Sequence, residues 1–184
     1  MMLTALQFSH QLAQEILLPT DFVVDGTMGN GHDTLFLAQS VPKGHVWAFD
    51  IQAAALTNTR LRLTEAGCLE RVTLIQDGHQ QAALYLPDHI KLAIFNLGYL
   101  PRSDKTITTQ ANTTIQALNA LLPRLLVGGR ILLVVYYGHK GGEAEKDAVT
   151  AFAAALPQEA YSVATYQFLN QRNAPPVLLC IEKK

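Results

Sequence analysis

The chain has 184 residues, 49% hydrophobic and 16% charged, with a formal net charge of −1. At roughly 100–200 residues per domain this reads as a single domain over 1–184 with one core, and the composition excludes intrinsic disorder and a collagen-like chain. The longest unbroken apolar run, Ile131–Tyr137, falls far short of the ~18 residues that a membrane span needs.

Leu3, Leu6, His10, Ala13 and Leu17 share one face of an amphipathic N-terminal helix. This segment lacks a basic start and carries Glu15 where a secretion signal is apolar, so a cytoplasmic protein is expected. Asp21–Asp25 then reads as a first strand and Gly31–Ser40 as a helix. His45–Asp50 is a second strand, and Ala53–Ala66 a helix with Leu56, Thr59 and Leu63 toward the sheet. Arg71–Gln76 and Lys91–Phe95 are the third and fourth strands. Gln110–Leu126 reads as a helix ended by Gly128-Gly129, and Arg130–Tyr136 as the fifth strand. Gly142–Leu156 is a further helix, and Tyr161–Phe168 with Val177–Ile181 a closing pair of strands. Cys68 and Cys180 match no metal or redox spacing and read as reduced thiols. The expected fold is α/β: one doubly wound, mostly parallel seven-stranded sheet, with an N-terminal helix and an antiparallel closing strand.

In such sheets ligands sit at the carboxyl ends of the strands, at the switch point. The loop after the first strand is Asp25-Gly26-Thr27-Met28-Gly29-Asn30-Gly31-His32-Asp33-Thr34, and nineteen residues past Gly31 comes Asp50. Glycines let the backbone approach a ligand, and a carboxylate ending the second strand can accept both ribose hydroxyls of an adenosine. NAD and S-adenosylmethionine both fit that plan. Thr34 replaces the third glycine of the dinucleotide fingerprint, and carboxylates at Asp25 and Asp33 would repel a pyrophosphate, so the electrostatics favour the cationic S-adenosylmethionine. Asp77-Gly78-His79, after the third strand, is placed to flank an adenine, although His79 alone reads more readily as a surface residue.

The fourth strand ends Asn96-Leu97-Gly98-Tyr99-Leu100-Pro101, similar to the Asn-Pro-Pro-Tyr motif of amino-group methyltransferases. An Asn oxygen and the Leu97 carbonyl can accept amine hydrogens and aim the lone pair, while Tyr99 can stack on a planar base. Asp104 is a candidate proton acceptor, or a surface partner of Lys105. His139 and Lys140, after the fifth strand, and the polar stretch Gln171-Arg172-Asn173-Ala174-Pro175-Pro176 lie at the same sheet edge. No histidine has metal-ligand spacing, and no nucleophile elbow is present, so no metal is expected. Residues 1–99 carry 5 Lys and Arg against 9 Asp and Glu, whereas 100–184 carry 9 against 6, so the basic half is the one suited to an anion such as RNA.

Together the glycine loop, Phe49-Asp50-Ile51-Gln52, Asn96–Pro101, Gly138-His139 and Gln171–Pro176 resemble the MnmM (YtqB) family of small class I methyltransferases, nearly end to end and including Phe8-Ser9-His10. The resemblance implies a Rossmann-like methyltransferase that converts 5-aminomethyl-(2-thio)uridine at the tRNA wobble position to its methylaminomethyl form, acting on an anticodon loop as a monomer or homodimer. It implies cofactor contacts from Asp25, Gly29, Asn30, Gly31, His32, Asp33, Asp50, Ile51, Gln52, Asp77, Gly78, His79, Asn96 and Leu97. Catalysis falls to Asn96, Tyr99 and Asp104, and RNA contacts to Arg102, Lys105, His139, Lys140, Gln171 and Arg172. Arg102-Ser103 stands where the family has Gly-Gly. An rRNA methyltransferase shares every motif, while a NAD-dependent dehydrogenase or a noncatalytic nucleotide-binding module shares the fold.

Overall fold

The structure, a computed structural model, describes residues 1–98 and 109–184. Seven strands form one sheet in the order β3-β2-β1-β4-β5-β7-β6: β1 (Phe22–Asp25), β2 (His45–Phe49), β3 (Val72–Ile75), β4 (Ile90–Leu97), β5 (Leu125–Val135), β6 (Tyr161–Tyr166) and β7 (Val177–Lys183). β7 runs antiparallel to both neighbours, and the other pairings are parallel. The helices are α1 (Ala5–Gln14), α2 (His32–Ser40), α3 (Ala53–Glu65), α4 (Ala111–Leu121) and α5 (Gly142–Ala154). From β1 the chain steps outward to β2 and β3, then returns to β4 on the other side. The loops after β1 and β4 therefore diverge, and a crevice opens between them.

Alternation along the strands feeds two cores, because successive side chains leave opposite faces of a sheet. Leu92 and Ile94 of β4 join Leu132 and Val134 of β5 in one core, with Leu37 and Leu63 from α2 and α3. Phe95 and Leu97 join Leu133 and Val135 in the other, with Leu118 and Val149 from α4 and α5. On α3 the deeply buried positions are Ala55, Thr59 and Leu63, with Leu56 at the edge.

The N-terminal helix starts with a reciprocal cap: Gln7 N–H donates to Thr4 Oγ1 at 3.2 Å, and Thr4 N–H to Gln7 Oε1 at 3.0 Å. Its buried stripe is Ala5, Ser9 and Ala13, small residues that leave Leu6 and His10 half-buried. Arg130 of β5 fastens this helix to the sheet, donating to the Leu12 carbonyl at 2.7 Å while pairing with Glu15 and Glu182.

One element differs from expectation. The fourth helix stops at Leu121, and a short 3-10 turn leads into a β5 that already begins at Leu125. Gly128-Gly129 do not cap a helix. They lie where the β4–β5 register slips between Ile90↔Leu125 and Leu92↔Arg130, with Gly128 at φ +67°. A bulge and a helix C-cap both call for glycine in the left-handed region, so composition could not separate them.

Candidate active site

Asp25 closes β1 and is fully buried. Its Oδ2 accepts from Thr34 Oγ1 at 2.6 Å and its Oδ1 from Thr27 N–H at 3.0 Å. Burial, and then the charge of Asp33, hold its carboxyl up at about 7. It shapes the glycine loop and presents no surface to a ligand, which corrects its expected cofactor contact. Gly31 is corrected likewise. It is buried at φ +78°, and a Cβ there would lie 2.8 Å from Thr59 Oγ1, so its role is close packing against α3.

Gly29 does reach the cavity, and its N–H donates to Asp50 Oδ2 at 3.0 Å while Gln52 N–H donates to Asp50 Oδ1 at 2.9 Å. Burial raises the Asp50 carboxyl above the ordinary range against those two hydrogen bonds. Asn30 and His32 stand on the rim, fixed by Arg62, whose Nε donates to the Asn30 carbonyl at 2.8 Å and whose guanidinium lies 3.3 Å from His32 Nε2. Ile51 leaves an exposed apolar surface beside Asp50. Asp77 accepts from Gly78 N–H and from the Tyr85 hydroxyl.

His79 is not on the surface. It is buried in the cavity wall, its Nδ1 3.0 Å from the Gly26 carbonyl and its ring edge-on to Phe95. Burial keeps the imidazole below its usual range, and hence neutral at pH 7. Its Nε2 has no partner.

At the end of β4, Asn96 N–H donates to Thr27 Oγ1 at 2.7 Å, joining the two loops of the switch point. The Asn96 amide nitrogen donates to Asp33 Oδ2, and its Oδ1 is buried without a partner. Asp33 Oδ1 lies 2.7 Å from His10 Nε2. Leu97 is fully buried and its carbonyl accepts from Tyr136 N–H at 2.9 Å, an extension of the sheet, so it is not the free amine acceptor or cofactor contact expected of it. Tyr99, Arg102, Asp104 and Lys105 lie outside the described residues. Gly98 and Thr109, on either side of that segment, are clasped: Gly98 N–H donates to Thr109 Oγ1 and Thr109 N–H to the Gly98 carbonyl. Thr109 and Thr114 in turn donate to the buried Glu145, whose carboxyl burial pushes up.

These residues enclose a cavity of about 780 Å³, within the ~300–1,000 Å³ of cofactor sites. His139 lines it, whereas Lys140, Gln171 and Arg172 are exposed outside it. The final loop contributes Asn173 and Ala174 instead, both left-handed at φ +66° and +47°. Sequence reasoning also missed Leu6, brought in by α1, and Tyr136. An exposed tyrosine just past a buried strand was a readable signal; Leu6 carried none. Among the described residues three buried side-chain atoms lack a hydrogen-bond partner, and two of them, His79 Nε2 and Asn96 Oδ1, belong to this cavity wall. Unpaired buried acceptors mark places where a ligand supplies the partner. The polar rim around Asp50 and the acceptors at His79 and Asn96 fit a nucleoside cofactor and an amine. Among the described residues no group of His, Cys, Asp and Glu is arranged to hold a metal.

Residues 46–182 match a family described as "Putative rRNA methylase". A crystal structure with that description from Clostridium thermocellum is 44% identical, with a TM-score of 0.98 and full coverage of both chains. A "putative methyltransferase" from Streptococcus mutans, solved in complex with SAH, is 43% identical with a TM-score of 0.93, again over both whole chains. The tRNA (mnm(5)s(2)U34)-methyltransferase of Arabidopsis thaliana, a chloroplastic protein, is 35% identical across 98% of this chain and 70% of its own length.

Proposed function

We infer function from the premise that this chain belongs to the rRNA methylase family. It is an S-adenosylmethionine-dependent RNA methyltransferase, and its reaction is N-methylation of 5-aminomethyl-(2-thio)uridine at the tRNA wobble position. The observation that carries the amine reading is the bare Asn96 Oδ1 at the switch-point cavity. A carbonyl-type oxygen there accepts an N–H of the substrate amine and fixes the direction of its lone pair, a positioning effect that needs no covalent chemistry from the protein.

S-adenosylmethionine, when bound, supplies a methyl group on a cationic sulfonium. The residues that would hold it are Asp50 for the ribose hydroxyls and Ile51 with Gln52, Asp77, Gly78 and His79 for the adenine. Gly29, Asn30 and His32 form the rim at the methionine end, with Asp33 behind them. What supports this assignment is that all ten line the one cavity. Tyr99 is assigned to stacking on the uracil, Asp104 to the surroundings of the amine, and Arg102, Lys105, His139, Lys140, Gln171 and Arg172 to the RNA. A base splayed from a single-stranded anticodon loop reaches such a pocket without melting a duplex. No helix among the described residues is long and apolar enough to cross a membrane, and the two free thiols, Cys68 and Cys180, suit a reducing cytoplasm.

The test is nucleoside mass spectrometry of tRNA from cells lacking the protein, paired with methylation of that tRNA by the purified enzyme. Aminomethyl-uridine accumulates, its methylated form is lost, and the enzyme restores it. Unchanged tRNA nucleosides with a methyl group missing from ribosomal RNA would move the substrate to rRNA.

A further inference from the structure

A primary alkylamine reaches neutral water as an ammonium, since alkylammonium groups such as the lysine side chain titrate at about 10.4. An ammonium has no lone pair, so a proton must leave before nitrogen can bond to carbon. Asn96 cannot meet that need, because its amide oxygen accepts hydrogen bonds but no proton at neutral pH.

The side chain joined to Asn96 can. Asp33 opens α2, lines the cavity and is 6% exposed. Its Oδ2 receives the Asn96 amide, and its Oδ1 lies 2.7 Å from His10 Nε2. The His10 ring lies flat on Phe36, with centroids 4.0 Å apart and planes 5° apart, which fixes its orientation. The His10 side chain is 28% exposed against 7% for Asp33. Three side chains from α1, α2 and β4 thus run in a line from the unpaired amide oxygen to an imidazole that meets solvent. Among the described residues the other acids nearby are arranged differently. Asp50 binds two backbone N–H groups, Asp77 a backbone N–H and a phenol, and Asp25 has no surface.

We propose that Asp33 takes the proton from the substrate ammonium and that His10, donating its Nε2–H to Asp33 Oδ1, fixes the carboxylate against the amine. The proposal rests on the amine substrate inferred above. The N–H bond of the ammonium breaks, its electron pair stays on nitrogen as the lone pair that Asn96 Oδ1 orients, and the proton passes to the carboxylate. Asp33 then releases it to water at the mouth of the cavity, while His10 keeps its own Nε2 proton in the bond to Oδ1. Nothing is oxidised or reduced. Asp33 is the catalytic residue in this step, and His10 positions it. Asp25, behind Asp33 on β1, and the phenol of Tyr136, just past β5, are the titratable groups that feel the charge of Asp33, and Phe36 against His10 carries none.

Asp33→Asn tests this, because an amide keeps the shape of the array but cannot take a proton. Single-turnover methylation of aminomethyl-uridine tRNA is followed from about pH 6.5 to about pH 9, alongside calorimetry of S-adenosylhomocysteine binding. General-base contributions run ~10²–10⁴-fold, so near neutral pH a loss of about a hundredfold is expected. The deficit narrows about tenfold per pH unit, as more substrate arrives already neutral. Rates are taken at saturating S-adenosylmethionine, so that a change in cofactor affinity is read separately. His10→Ala, which removes the donor, gives a smaller deficit with the same pH dependence, and His10→Gln, which restores one, recovers the rate. A wild-type rate and pH profile in Asp33→Asn overturns the proposal, as does a deficit equal at every pH, and no recovery in His10→Gln overturns the part given to His10. Failure of the wild-type enzyme to methylate this tRNA is a separate result that removes the amine substrate itself.

Discussion

The two rims of the cavity are built differently. Along the loops after β1, β2 and β3 the carboxylates are already tied down, Asp50 by Gly29 and Gln52, and Asp77 by Gly78 and Tyr85. Along the loops after β4, β5 and β6, Asn96 keeps a bare acceptor and Asn173 and Ala174 hold left-handed backbone, which Asn adopts readily but which costs about 1–2 kcal/mol at Ala174. The first rim is preorganised to bind, as a cofactor site should be. The second leaves hydrogen-bonding capacity and strain in place, as sites of chemistry and substrate entry often do. Asp33 stands at the seam, opening α2 at the first rim and accepting from the amide nitrogen of Asn96 on the second.

The sharpest way to break this division is Asn96→Ala. Loss of a near-attack geometry lowers single-turnover methylation by roughly a hundredfold or more, with little change in S-adenosylhomocysteine affinity by calorimetry. An equal loss of both would make the second rim a binding rim like the first. Asp50→Ala gives the converse pattern. Hydrogen bonds to a charged group contribute about 1.5–3 kcal/mol each, so cofactor affinity falls at least about tenfold, while turnover at saturating cofactor falls much less.

A smaller effect sharpens the outer edge of the second rim. Lys140 and Arg172 are exposed beside the cavity rather than in it. In the Lys140→Ala/Arg172→Ala double variant, tRNA affinity loses about 0.7 log units of salt slope per phosphate contact removed, and cofactor affinity is untouched. Identical slopes in filter binding at several salt concentrations would take these loops away from the RNA.

A last effect, on stability rather than on binding or turnover, concerns the strand end beneath the first rim. Asp25 has its carboxyl raised from 3.8 to about 7, so between those values the folded state binds the proton more tightly than the unfolded chain does. Its contribution to stability is fully present below about pH 4 and is lost as pH rises through about 7. Asp25→Asn should remove that component, leaving a flatter dependence of unfolding free energy on pH between about 4 and 7 in denaturant titrations. A slope unchanged by the substitution would place the titration elsewhere.

The rim proposed for the cofactor was legible because its signals are local. Glycines followed by a helix, and an acid ending the second strand, encode their own geometry, and Asp50 and Gly29 stand where the spacing put them. The reading failed where one residue type serves two purposes. Asp25 and Gly31 belong to the loop motif, yet one is sealed in the core and the other packs on Thr59. His79, expected at the adenine from the resemblance but readable alone as a surface residue, is buried because the Gly26 carbonyl meets its ring, a contact that nothing local foretold.

By itself, the order of apolar runs and helical periods determined the parallel sheet, its switch point and the loops that carry ligands, since these follow from short-range periodicity and from the handedness of strand–helix–strand connections. The tertiary structure alone decided which atoms in those loops stay unpaired. His10 and Asp33 are 23 residues apart, and Asp33 and Asn96 are 63 apart, so their meeting depends on how α1 and α2 pack against the sheet. Pairing over such distances is fixed by burial of whole faces rather than by any local preference, and for that reason the cofactor could be read along the chain and the proton acceptor could not.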